Sequence, residues 1–188
     1  MLALGTPAPE FALTDVQTQK LVKLSDFRER KALLVMFLCA HCPYVKHIEE
    51  GLTAFANDCA AKDVALVAIS ANDAQTHPED APAKLAAQAR AHGWKFAYLH
   101  DATQEVAKAY TAACTPDFFL FDAARKLVYR GQFDASRPKT AIPVTGANLR
   151  AALQALLAGK PVAKEQKPSL GCNVKWRAGN EPAYFGVG

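Results

Sequence analysis

The chain has 188 residues, 51% of them hydrophobic, with 22 Lys and Arg against 18 Asp and Glu for a formal charge of +4. That size supports one substantial core and a tail rather than two domains, and the scattered basic residues, without a basic block or interleaved aromatics, argue against a nucleic-acid partner. No apolar run approaches the roughly 18 residues of a membrane span, and the start, Met1 to Pro7, lacks the regions of a signal peptide, so a cytoplasmic setting without a membrane partner is expected.

Residues 10–13 and 20–24 read as an N-terminal hairpin of two short strands, after which Ser25 can cap a single helical turn through Asp26 and Phe27. Leu33-Leu34-Val35-Met36-Phe37-Leu38 is a continuous apolar segment of the length of a strand buried on both faces. It runs directly into Cys39-Ala40-His41-Cys42, with Pro43 at home in a helix's first turn. Val45, Ile48, Leu52, Phe55 and Cys59 then recur at helical spacing, which makes Cys59 a core residue; His47 falls off that stripe and reads as solvated. Residues 64–69 form the next buried strand, and strand, helix, strand with this crossover implies a parallel pair with a right-handed connection.

The dithiol therefore sits at the carboxyl edge of a parallel pair and at a helix start, where amide N–H groups and the helix dipole favour an anion. Dithiols so placed have first-cysteine pKa values from roughly 3.5 to 7, against about 8.5 for a free thiol. His41, when protonated, adds a positive neighbour, and stabilising the thiolate stabilises the reduced pair, so His41 argues for a more oxidising couple. In a reducing compartment five cysteines point to redox or metal chemistry rather than structural disulfides. A structural zinc site needs four ligands, usually with a second close pair. No second CxxC exists, only His41, His47 and Cys172 are candidates to complete one, and neither a metal nor a cofactor is expected.

Residues 72–82 read as a polar loop, with Asp80 and Pro82 opening a helix that Gly93 closes. Residues 96–99 suit a short strand, and Asp101 with Gln104 has capping-box spacing for a helix through Tyr110. Residues 118–121 and 127–133 are apolar strands joined by a link too short for a crossover, hence an antiparallel hairpin. The last helix carries Leu149, Leu153, Leu156 and Leu157 on one stripe and stops at Gly159 and Pro161. We read residues 1–163 as one domain and 164–188 as a C-terminal tail packing on it, with only Val174, Trp176, Tyr184 and Phe185 as anchors.

Gly5-Thr6-Pro7-Ala8-Pro9-Glu10-Phe11-Ala12-Leu13-Thr14-Asp15 resembles the opening of the alkyl hydroperoxide reductase/thiol-specific antioxidant (redoxin) family of the thioredoxin-like superfamily. Phe-Leu-Cys-Ala-His-Cys-Pro-Tyr-Val at 37–45 and Cys-Thr-Pro-Asp-Phe-Phe-Leu-Phe-Asp at 114–122 resemble an uncharacterised subgroup of it, and the likeness extends through 168–176. The resemblance implies an α/β thioredoxin-like fold: a central mixed sheet flanked by helices, with the N-terminal hairpin, a helix/strand insertion and the tail. It implies thiol-disulfide exchange with protein or small-molecule thiols and disulfides, Cys39 serving as exposed nucleophile and Cys42 as resolving thiol. Thr115-Pro116 resembles the cis-proline loop, which would expose the Thr115 backbone to an extended substrate and shield the thiols from metal.

Cys114 then lies near the dithiol, either as a third redox thiol or as a small buried residue. Cys172 either folds back to exchange with Cys39 and Cys42 or packs beside Trp176. The pattern also departs from the family. Met36 stands where peroxiredoxins carry a threonine, and positions 35, 36 and 38 are apolar, so peroxide reduction by Cys39 is the alternative reading. Met36 and Leu38 also take the regions of thioredoxin's buried aspartate and tryptophan, leaving a loop residue such as Asp73 as candidate base. A metal-binding module of the same fold is the third reading.

Overall fold

The structure is a computed structural model that describes residues 2–186; Met1 of the predicted start and Val187 and Gly188 of the predicted tail lie outside it. The amino-terminal hairpin is β1 (Ala12–Asp15) and β2 (Leu21–Lys23), followed by a 3-10 turn, Leu24–Phe27. Its start is closed not by Ser25 but by Asp26, whose carboxylate accepts the Lys23 N–H at 2.9 Å. Next come β3 (Ala32–Phe37), α1 (Pro43–Ala60) and β4 (Val64–Ser70), the parallel unit that the apolar runs predict. The insertion holds α2 (Pro82–Ala91), β5 (Ala97–His100) and α3 (Glu105–Ala109). Then β6 (Cys114–Thr115), β7 (Asp117–Phe121), β8 (Leu127–Gly131), α4 (Ala147–Leu157) and β9 (Cys172–Asn173) complete the chain.

Seven strands form one mixed sheet in the order β2-β1-β5-β4-β3-β7-β8, and β6 pairs with β9 apart from it. β3 is the centre: parallel to β4 from Ala32↔Val64 to Phe37↔Ile69 and antiparallel to β7, it buries all six residues. Its alternate side chains feed two cores. Leu34 and Met36 face α1, α2 and α4, including the predicted stripe Val45, Ile48, Leu52, Phe55 and Cys59. Leu33, Val35 and Phe37 face α3, the amino-terminal segment and the tail residues Val174 and Trp176. This is the thioredoxin-like arrangement, and it ends β3 with its next residues at the start of α1.

Three local expectations are corrected. α3 begins only at Glu105: Gln104 stands in the left-handed region (φ 68°), and Asp101 accepts the Ala107 N–H of the first turn at 2.9 Å. β8 stops at Gly131 rather than Phe133: the tail closes on it there, with the Lys167 carbonyl 2.2 Å from where a Cβ would stand and accepting the Gln132 N–H at 3.1 Å. Asp80 does not cap α2, which starts after Ala81. Among the described residues no helix is long and apolar enough to cross a membrane.

Leu52 is fully buried between α1 and the sheet. Leu52→Ala should cost about 2–5 kcal/mol of stability, the range for a cavity in a packed core. Urea unfolding of the reduced protein checks it, and a cost below about 1 kcal/mol would mean that this face is loosely packed.

Candidate active site

Cys39 follows β3 by two residues, and Cys42 is the residue from which α1 starts, with extended backbone (φ −65°, ψ 124°) and Pro43 behind it. Both thiols are wholly buried, which corrects the expectation of an exposed Cys39. Thr115 binds both. Its hydroxyl lies 3.3 Å from the Cys39 sulfur, and its carbonyl lies 3.2 Å from the Cys42 sulfur, accepting its S–H while that thiol is protonated. The Thr115–Pro116 peptide bond is cis, as the resemblance implies. From α2, Gln88 donates its amide to the Cys39 carbonyl at 3.3 Å and closes that side.

The residue that sequence reasoning missed is Asp80. Its carboxylate is fully buried under the dithiol turn. One oxygen accepts the Ala40 N–H at 2.7 Å and the His41 N–H at 3.1 Å; the other takes the Asn72 amide at 2.7 Å and the His41 Nδ1 at 2.5 Å. The amides expected to favour a Cys39 thiolate are therefore committed to a carboxylate. His41, a predicted supporting residue, is bonded by backbone and ring to Asp80, and its ring stacks on His77 at 5.3 Å. The Cys39 sulfur, a His41 ring nitrogen and an Asp80 oxygen lie within 4.8 Å of one another. As a metal site this trio is poor, because Asp80's oxygens already accept four hydrogen bonds and a cation would have to break some of them.

The two cysteines titrate as a unit, since each proton removed changes the other's surroundings. The first leaves far below the ordinary thiol range: Cys42 is lowered to about 4, chiefly because its thiolate accepts the Cys39 S–H, with Cys172 and the Val45 amide adding to this. Cys39 is pushed far up by that same bond, by burial and by the Asp80 charge beside it. The assignment is the reverse of the expected one. The interaction with Cys42 and burial oppose a charge on Cys39 first and the Asp80 charge adds to this, so the charge falls on the sulfur at the positive end of α1.

Cys172 also arrives at this place. It stands opposite Thr115 in the β6–β9 pair, the residue whose carbonyl holds the Cys42 sulfur. Burial first, and then Cys42, raise its thiol to about 11. Cys114 is buried with its sulfur 3.7 Å from the Pro116 carbonyl, and burial raises its pKa. Cys59 lies in the core, where burial raises it to about 11. Asp73, the candidate base, accepts from the Gln75 N–H at 3.1 Å and the Thr76 hydroxyl at 2.9 Å. His47 is half-buried rather than solvated, with Nε2 shielded from water.

Replacing Asp80 by Asn removes the charge beside Cys39 while keeping one oxygen for the Ala40 and His41 N–H groups. Asp80→Asn should shift the pH dependence of Cys39 alkylation in the reduced protein to lower pH, read by peptide mass spectrometry. An unchanged profile would contradict the electrostatic role given to Asp80.

The sequence matches the AhpC/TSA family over residues 4–130. Among solved structures, a hypothetical protein from Sinorhizobium meliloti is 51% identical with a TM-score of 0.93, the match covering 95% of this chain and 97% of that one. An uncharacterized conserved protein from Geobacillus kaustophilus is 54% identical with a TM-score of 0.92, covering 94% of each chain. The thioredoxin domain of a thiol-disulfide oxidoreductase from Bacteroides vulgatus, 18% identical with a TM-score of 0.60 over 80% of this chain and 97% of its own, shares the fold. Among curated proteins none matches. With the match running from the amino-terminal segment through β8, on a thioredoxin-like sheet that presents a dithiol at the start of α1, the chain belongs to the AhpC/TSA family.

Proposed function

We propose that the protein is a thiol-disulfide oxidoreductase working through the Cys39/Cys42 dithiol in a reducing, cytoplasmic environment. The observation that carries this reading is that Thr115 holds both sulfurs where β3 runs into α1, its hydroxyl 3.3 Å from Cys39 and its carbonyl 3.2 Å from Cys42. A thiolate of the pair attacks one sulfur of a partner disulfide; a mixed disulfide forms and the partner's other sulfur leaves as thiolate. The second cysteine then attacks the mixed disulfide, closing Cys39–Cys42 and releasing the partner's second thiol, so two electrons pass to the partner. The reverse sequence oxidises a partner dithiol. Pro116 flanks the partner's seat, and the Thr115 backbone edge beside it is held by β9.

Direct peroxide reduction is the weaker reading. Val35, Met36 and Leu38 are fully buried and apolar, and offer no hydrogen-bonding side chain to orient a peroxide beside Cys39. With dithiothreitol as electron donor, the protein should reduce a peptide disulfide catalytically, and Cys39→Ser or Cys42→Ser should each lower the rate by about 100-fold or more, as expected for loss of a nucleophile that acts as one unit with its partner. Catalytic consumption of hydroperoxide with no peptide-disulfide reduction would contradict the proposal.

The lowered ionisation also links folding to pH. Between about 4 and the ordinary thiol value of 9.0, the folded protein has released the Cys42 proton while the unfolded chain retains it. The unfolded state then binds more protons, so this contribution to stability grows as pH rises through that window and is lost as pH falls toward 4. Urea unfolding of reduced wild type and Cys42→Ser at pH 5 and pH 8 checks this sign. Wild type should gain more stability over that step than the variant; an equal gain would contradict the ionisation assigned to the pair.

A further inference from the structure

The residues after α4 form a fastened strap. The Gln166 amide donates to the Val128 carbonyl at 2.9 Å and accepts the Arg130 N–H at 2.9 Å, so the strap first runs along β8. It then crosses to the dithiol, where Cys172 pairs with Thr115 and Asn173 with Cys114. Past β9, the Lys175 N–H donates to Asn72 at 2.8 Å, the residue that also holds Asp80, and Trp176 is buried against Tyr184. At the crossing point a Cβ on Gly171 would lie 2.0 Å from the Thr115 carbonyl oxygen, so only glycine lets the backbone come this close.

The strand edge that β9 fills is the one that an extended partner segment would need in order to lie beside the dithiol. The strap resembles such a partner in form: extended, hydrogen-bonded backbone to backbone, and carrying a cysteine level with Thr115. Cys172 is paired with the same residue, Thr115, whose carbonyl holds the Cys42 sulfur at 3.2 Å, and it packs against the cluster that contains both dithiol cysteines.

We propose that the strap is an internal partner segment: β9 occupies the strand edge beside the dithiol, and Cys172 exchanges with Cys42. The proposal rests on the exchange reading above. Once a partner disulfide has oxidised the dithiol, the Cys172 thiolate attacks the Cys42 sulfur. The Cys42–Cys172 bond forms, the Cys39–Cys42 bond breaks, and the electron pair leaves on Cys39, which takes up a proton; the exchange is redox-neutral. In the product the strap is bonded into the groove, extended partners are excluded, and Cys39 is a free thiol.

The test uses the full chain carrying Cys39→Ser, treated with glutathione disulfide, quenched in acid and mapped by peptide mass spectrometry. Cys42 displaces one glutathione thiolate to give a mixed disulfide, and Cys172 then displaces the second. Cys42–Cys172 should be the main product. Adding Gly171→Ala should lower its yield roughly tenfold in favour of Cys42-glutathione, because the strap no longer holds Cys172 at high effective concentration. A Cys39→Ser protein that stops at Cys42-glutathione, or links Cys42 to Cys114, overturns the strap proposal and leaves the dithiol reading standing. One whose Cys42 reacts with nothing also overturns the strap proposal, while peptide-disulfide reduction by the wild type decides the dithiol reading separately.

Discussion

Thr115 is the residue on which the site depends. Its hydroxyl meets Cys39, its carbonyl meets Cys42, and its backbone pairs with the strand that carries Cys172. One side chain and one peptide unit thus set the mutual position of three sulfurs that come from three separate stretches of sequence. Buried thiols are weak hydrogen-bonding groups and, left alone, pack like small apolar side chains. Here Cys39 and Cys42 are each met by a polar group of Thr115, and that separates them from Cys59, which lies in the core.

Asp80 works from the other side. A buried carboxylate is costly unless it is well bonded, and this one accepts from two main-chain amides of the dithiol turn, the Asn72 amide and the His41 ring. That fixes the turn's geometry and also puts a negative charge beside Cys39. Helix dipole and carboxylate therefore act on different sulfurs, one favouring the anion at Cys42 and the other opposing it at Cys39. Asn72 extends the coupling outward, since its side-chain oxygen holds the strap at Lys175 while its nitrogen holds Asp80.

The fold was largely legible in the sequence. The apolar run into Cys39, the stripe from Val45 to Cys59 and the short link between β7 and β8 each carry a period or length that local physics dictates. Thr115-Pro116 and the dithiol were legible as motifs through the resemblance. Asp80 was not, because between Pro78 and Pro82 an aspartate has the signature of a helix start, and only the path of the loop leaving β4 brings it under the turn. The burial of Cys39 escaped for the same reason: exposure there is decided by residues far along the chain, Asp80, Gln88 and Thr115. Gly171 reads locally as a turn residue, whereas the structure uses its missing Cβ to let two backbones touch.

The central claim is that Cys39 and Cys42 form one two-electron couple, and an equilibrium redox titration of the full chain tests it most directly. Equilibrated across dithiothreitol or glutathione buffers and mapped after acid quench, the protein should show a single two-electron transition that disappears in Cys42→Ser. Two free thiols at Cys39 and Cys42 across the whole range, or a transition that survives the loss of Cys42, would contradict the account.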